Sequence, residues 1–147
     1  MSWPLHVTVA AVLERAGRFL LVQESVGGRS VINQPAGHLE QFESLIDAVK
    51  RETLEETAWH FAPEALIGIY RWVHPHGQTF LRFCFCGRLL HEEPGGKLDK
   101  GIEQVLWLDR DNLRQRTEQL RSPLVLRCID DYLSGTRLDL SVLKDIL

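Results

Sequence analysis

Gly37-His38-Leu39-Glu40-Gln41-Phe42-Glu43-Ser44-Leu45-Ile46-Asp47-Ala48-Val49-Lys50-Arg51-Glu52-Thr53-Leu54-Glu55-Glu56-Thr57-Ala58-Trp59 is the stretch from which the rest of the chain is best read. From Ser44 to Thr57 no glycine or proline interrupts a helix. Ser44 suits the N-cap, and Asp47, three residues on, completes a weak capping box. With about 100° of rotation per residue, Glu52, Glu55 and Glu56 share one arc with Leu45, Ala48 and Val49, the residues expected to face the body of the protein. Asp47 and Lys50 point away. Leu54 sits nearly opposite Leu45, which predicts a second covered side.

Three carboxylates on an inward arc are costly. Like charges at i,i+4 repel by roughly 0.2–0.5 kcal/mol on an exposed helix, and by more where water is scarce. The glutamates also stand toward the helix C-terminus, where the macrodipole is negative. Arg51 offsets part of this by pairing with Glu55 at i+4. A hard divalent cation removes the rest, and Mg²⁺ fits best because it takes a few carboxylates, waters and substrate phosphate oxygens. The plainer alternative is a solvated charged face, which the inward arc and the loop before the helix disfavour.

The spacing from Gly37 through five residues to Glu43, then seven residues to Arg51-Glu52-Thr53-Leu54-Glu55-Glu56, resembles the Nudix box, the metal-binding signature of the Nudix hydrolases. The resemblance implies an α/β fold, an α/β/α sandwich around a mixed β-sheet. It implies Glu52, Glu55 and Glu56 as metal ligands, the carbonyl of Gly37 as a further one, and Mg²⁺ (or Mn²⁺) as the cofactor. Glu43 and Arg51 are implied as a structural pair, with Glu52 as the favoured general base and Glu103, outside the box, as runner-up. Three positions depart from the family pattern. Ala58 replaces the late glycine, Phe42 stands where a glycine often precedes the glutamate, and Thr53 replaces a bulky aliphatic. Ala58 disfavours a left-handed cap, so a different turn is expected there.

Outward from this segment the chain reads as strands with helices between and after them. His6 to Leu13, Phe19 to Gln23, Ser30 to Asn33, Leu66 to Val73, Thr79 to Leu89 and Gln104 to Leu108 are predicted strands, and Pro35 to Phe42 a loop. Ala16-Gly17, Gly27-Gly28 and His74-Pro75-His76-Gly77 mark turns, and His91 to Gly101 a polar loop. Asp109 to Arg121 holds at most a short helical turn. Ser122 and Pro123 open a second helix, running to about Leu133. A mixed sheet between helices is the natural architecture, in a single domain of 147 residues.

Bulk composition bounds the function. Apolar residues make up 44% of the chain, and 17 basic against 20 acidic residues give a net charge of -3. That balance argues against a dedicated nucleic-acid partner. No stretch approaches the ~20 apolar residues of a membrane span, and the first residues lack the pattern of a leader, so a cytoplasmic location is expected. Cys84, Cys86 and Cys128 read as buried thiols in a reducing compartment, with a zinc pair as the minor alternative.

Further stretches resemble a phosphatase subgroup of the same family: HVTVA from His6, NQPAGHLE before the helix, FLRF at Phe80 to Phe83 and LRSPLV at Leu120 to Val125. The resemblance implies hydrolysis of nucleoside triphosphates and diphosphates, and of the pyrophosphate of the thiamine pyrimidine precursor, with release of orthophosphate. Candidate substrate contacts are Arg29, before the strand leading to Gly37, and Arg82, which interrupts an apolar strand. Arg82 has an alternative as half of a buried pair with a carboxylate. Trp72, Trp107 and Phe80 are candidates to stack a base, with core packing as the alternative. His74 and His76 read as surface or substrate-loop residues. Two other functions stay open at this point: a non-catalytic nucleotide sensor, and a pyrophosphohydrolase of dinucleotides, sugar nucleotides or capped RNA.

Overall fold

The computed structural model describes residues 3–147. Met1 and Ser2, part of the stretch read for a leader, lie outside the described residues. Among the described residues, nine strands and three α-helices follow in order: β1 (Leu5–Val12), β2 (Glu14–Arg15), β3 (Arg18–Val26), β4 (Arg29–Asn33), β5 (Ala36–His38), α1 (Leu45–Thr57), β6 (Trp59–Val73), β7 (Thr79–Glu92), β8 (Ile102–Leu108), α2 (Arg110–Gln115), α3 (Leu124–Leu133) and β9 (Leu138–Asp139). Short 3₁₀ turns at Thr117–Gln119 and Leu140–Val142 complete the described secondary structure.

The strands carry apolar residues on both faces because both faces are covered. In β1, Ala10 and Val12 enter one core while Val9 and Ala11, with Leu13 after them, enter the other. Phe19 and Leu21 of β3 part from Leu20 in the same way, as do Cys84 and Cys86 from Phe85 in β7. Helix α1 closes one core with Ala48 and Val49. The other is closed by Leu113 of α2 and by Cys128 and Ile129 of α3. This is the expected α/β/α layering. All three cysteines are buried and free.

The sheet order is β5-β1-β7-β6-β9, with β1 and β7 parallel and the other neighbours antiparallel. A second sheet runs β2-β3-β4, and β8 joins it on β3. The strands thus form two sheets where the sequence suggests one. Strand β5 falls inside the expected Pro35–Phe42 loop. It is an edge strand whose Gly37 sits opposite Val9, a place where glycine and a preceding proline are tolerated. Strand β6 begins seven residues before the expected Leu66. Its first half contains Pro63, and a register shift between Pro63 and Ala65 absorbs that residue as a bulge. In the expected Asp109–Arg121 turn, Asp109 caps α2 by accepting from the backbone N–H of Asn112 at 2.8 Å. Ser122 accepts from the N–H of Leu124 at 3.2 Å, so α3 starts one residue later than expected. Among the described residues, no helix is long and apolar enough to cross a membrane.

Ser44 caps α1 as expected, accepting from the N–H of Asp47 at 3.0 Å. At the other end the expectation of an altered turn fails. Ala58 adopts the left-handed conformation, φ 64°, and its N–H still reaches the Leu54 carbonyl at 2.9 Å. Phe42 is left-handed as well, φ 68°. The backbone therefore keeps the glycine shape at both positions without the glycines, at about 1–2 kcal/mol each. Thr53 is fully buried, and its hydroxyl finds no partner among the described residues.

The side chain of Phe42 is 97% exposed, so its replacement sacrifices no packing. Phe42→Gly is expected to raise stability by roughly 0.5–1 kcal/mol, the relief of strain less the added freedom of the unfolded chain. Urea unfolding measures it, and an unchanged or lower midpoint would count against strain at this residue.

Candidate active site

The last two turns of α1, strand β5 and the loop between them bring the acidic residues together. Arg51 is the hub. Its Nε donates to Glu43 Oε2 at 3.0 Å and its Nη2 to Glu43 Oε1 at 2.8 Å, a two-pronged pair. Nη2 also donates to the His38 carbonyl at 3.1 Å, and Nη1 to Glu52 at 2.9 Å and Glu55 at 3.2 Å. Glu43 in turn accepts from the N–H of Glu40 at 2.8 Å, which fixes the loop. Pairing with Arg51 holds the Glu43 carboxyl below its ordinary range, and pairing with Glu43 raises the guanidinium.

A side chain at Gly37 would displace the Glu52 carboxylate. A Cβ there would lie 2.1 Å from the carboxyl carbon of Glu52. The bare backbone of β5 is the cradle in which that carboxylate rests. Burial pushes Glu52 upward in spite of Arg51 beside it. Glu56 goes further. It is 8% exposed, accepts from the Ala36 N–H at 2.9 Å through Oε1, and is pushed up to about 9, chiefly by burial. A buried and a half-buried carboxyl on successive turns, both with raised proton affinity, favour a cation if both are to be charged.

One carboxylate oxygen from each of Glu52, Glu55 and Asp99 lies within 4.8 Å of the others. Asp99 is a residue the sequence reading missed. It lies in the loop between β7 and β8, and its N–H donates to the Glu55 carbonyl at 2.9 Å, which pins it against α1. Only an acidic residue in a polar loop marked it, and Glu103 offered the same mark. Glu103 instead points to solvent from within β8, and is neither in this trio nor on the cavity wall. Glu56 is outside the trio but lines the cavity beside Glu52. The donor set, all oxygen and partly buried, suits a hard divalent cation.

Glu52 and Glu56 open onto a cavity of about 640 Å³, a size that suits a nucleotide. Its wall includes Glu24, Glu40, Gly37, Arg82, Arg121, Trp72, Phe80 and His74. Arg82 is the unusual member. It is only 5% exposed, yet its partners are the amides Gln34, at 3.0 Å, and Asn33, at 3.3 Å. Its Nε has no partner among the described residues. The alternative of a buried carboxylate pair therefore gives way to a buried cation without a counter-charge, facing a cavity. Arg121 is offset by Glu24 at 2.9 Å.

Trp72 and Phe80 lie with ring centroids 5.5 Å apart on the cavity wall, and His6 stacks on Phe80 at 4.8 Å. Trp107 is not there. It packs edge-on against Trp59, beneath the guanidinium of Arg15. Arg29 is also off the cavity wall, exposed at the start of β4. His74 lines the cavity and stacks on His76 at 4.9 Å.

The family model for the NUDIX domain matches residues 4–128. The Phosphatase NudJ of Escherichia coli K12 is 40% identical over 140 residues, covering 95% of this chain and 91% of its own. The Phosphatase NudJ of Shigella flexneri matches equally well. Among solved structures, a NUDIX hydrolase from Nitrosomonas europaea superposes with a TM-score of 0.94 at 46% identity, covering 97% of each chain. The MutT protein of Methanosarcina mazei shares the fold, with a TM-score of 0.73 at 21% identity over 93% of this chain and 99% of its own.

The raised Glu56 has a consequence for stability. Without metal, the folded chain holds its proton up to about pH 9, while the unfolded chain releases it near the ordinary 4.5. This stabilisation is therefore full below about pH 4.5 and is lost as pH rises through 9. In chelator, Tm is expected to fall between pH 6 and 8.5. Glu56→Gln should flatten that slope and be more stable than the parent at pH 8 by at least about 1 kcal/mol. Added Mg²⁺ should stabilise the parent more than the variant. Parallel slopes for the two proteins would place the titrating group elsewhere.

Proposed function

The chain belongs to the Nudix hydrolase family, and on that premise we propose that it is a Mg²⁺-dependent phosphatase of nucleoside triphosphates and diphosphates that releases orthophosphate. Hydroxymethylpyrimidine pyrophosphate, the thiamine precursor, is a second substrate in this reading. Residues 1–147 act as one domain, in the cytoplasm, on a small-molecule partner. The observation that carries the proposal is Arg82: a guanidinium keeps its charge in a folded protein, and this one is buried on the cavity wall with its hydrogen bonds going to neutral amides. A substrate phosphate supplies the missing negative charge, and burial makes that contact strong.

The residues of the site then divide the work. Glu52, Glu55, Glu56 and Asp99, with the Gly37 carbonyl, would hold the cation. When bound there, a divalent cation supplies positive charge for the phosphate oxygens as negative charge gathers on them. Arg51 and Glu43 position the ligands and touch no substrate. Glu52 takes a proton from the attacking water, which adds to the terminal phosphorus. The phosphoanhydride P–O bond breaks, and the shortened nucleotide leaves as the other product. Trp72 and Phe80 offer a face for the base. The names of the NudJ relatives support the phosphatase reading over pyrophosphate release.

A substrate panel in Mg²⁺, with orthophosphate and pyrophosphate scored separately, tests this reading. A nucleoside diphosphate should give the monophosphate and orthophosphate, and chelator should abolish turnover. Arg82→Met should lower kcat/KM by about 10–100-fold, the loss of a charge-assisted phosphate contact, in a protein that still folds. Inert diphosphates with triphosphates releasing only pyrophosphate would refute the phosphatase assignment. Undiminished kcat/KM in Arg82→Met would return that residue to a packing role.

A further inference from the structure

The far end of the β6–β7 hairpin carries a second group of ligand-type side chains that the hydrolytic site does not use. His60 and His91 are direct partners across the antiparallel pair. Their rings stack with centroids 4.4 Å apart and planes 22° from parallel. Glu93, two residues past His91, brings Oε1 to 2.6 Å from His60 Nε2 and 3.9 Å from His91 Nε2. None of the three lines the cavity. The hairpin turn, with Trp72 and His74, is at the other end, roughly 40 Å away along the strand path.

We infer that His60, His91 and Glu93 form a binding site for a divalent transition cation of the zinc class, separate from the carboxylate site. One ligand atom from each residue lies within 4.8 Å of the others. Tetrahedral zinc, with bonds of ~2.0–2.2 Å, spaces its ligand atoms roughly 3.4 Å apart. The 3.9 Å separation is already near that, and the 2.6 Å one has to open by less than an ångström. Two imidazole nitrogens and one carboxylate oxygen favour zinc over Mg²⁺, which prefers oxygen throughout.

A simple ion pair accounts for His60 and Glu93 but not for the second ring. Two imidazoles face to face beside one carboxylate repel when both carry a proton, whereas a cation uses a lone pair from each. The three residues are also held in place beforehand. The strand pairing fixes the two histidines, and the Glu93 N–H donates to the Ala58 carbonyl at 2.7 Å. His91 and Glu93 are exposed and His60 half-buried, so a cation enters from solvent and keeps a water in its fourth position. The loop that starts at Glu93 ends at Asp99, on the Glu55 carbonyl. A cation here would therefore tie down the start of the segment that delivers Asp99.

Zinc titration calorimetry on the full chain, in excess Mg²⁺ to occupy the carboxylate site, tests the inference. One saturable zinc per chain is expected, with the imidazole nitrogen resonances of His60 and His91 shifting and those of His76 unmoved. His91→Ala removes an exposed ring and leaves the fold intact. It should weaken zinc by about 100-fold, since even the outer partners of metal ligands are worth about 10–100-fold. Glu93→Gln should weaken it as well, and His76→Ala should not. Phosphate release in Mg²⁺ should be the same in His91→Ala as in the parent. Absence of saturable zinc, or equal affinity in His91→Ala, would overturn the inference and leave an ordinary ion pair.

Discussion

The guanidinium of Arg51 is the constraint on which the acidic end of this fold depends. It spends its donors on the two oxygens of Glu43, on the His38 carbonyl, on Glu52 and on Glu55. These partners come from a strand edge, a loop and two turns of a helix. Without a planar, forked donor among them, the carboxylates would repel one another and the loop would have no reason to lie against the helix. One positive charge does not neutralise the group, however. The excess negative charge is left where a divalent cation can use it.

Burial sharpens this arrangement. Glu56 and Glu52 are raised mainly by loss of solvent, so the metal-free site is a place where the protein would rather keep protons. Gly37 gives up a side chain so that the Glu52 carboxylate can rest on bare backbone. Across the same cavity Arg82 is the opposite case, a buried cation that lacks an anion. On the proposed function, a nucleotide polyphosphate carrying its metal would supply the missing partner to both sides at once. The walls are thus unstable as charges and complementary as a pair, which suits binding that strengthens as charge shifts in a phosphoryl transfer.

Much of this was legible in the sequence, for local reasons. Helical period put three glutamates on the inward arc, and the caps of α1 followed from Ser44 at one end. The runs His6 to Leu13 and Thr79 to Leu89 read as strands, and a sheet between helices was the architecture expected from them. What escaped was set by tertiary contacts. Gly37 read as a breaker, yet a sheet edge accepts it, and a bulge admits Pro63 to β6. Ala58 was expected to change its turn, but the surrounding structure imposes left-handed backbone on it, as it does on Phe42. Asp99 could not be told from Glu103 because a backbone bond from one loop to the end of α1, invisible in sequence, selects between them. Arg82 was recognised as costly, but whether its partner was a carboxylate or an amide depended on residues about fifty positions away.

Mn²⁺ affinity of the Arg51→Lys protein, measured by electron paramagnetic resonance, tests the central claim most directly. Lysine keeps the charge and every glutamate but cannot hold Glu43, Glu52, Glu55 and the His38 carbonyl together. If Arg51 assembles the metal site, Mn²⁺ should bind the variant about 10–100-fold more weakly than the parent, in a chain that remains folded. Equal affinity in the two proteins would show that the carboxylates gather without it, and would contradict the account.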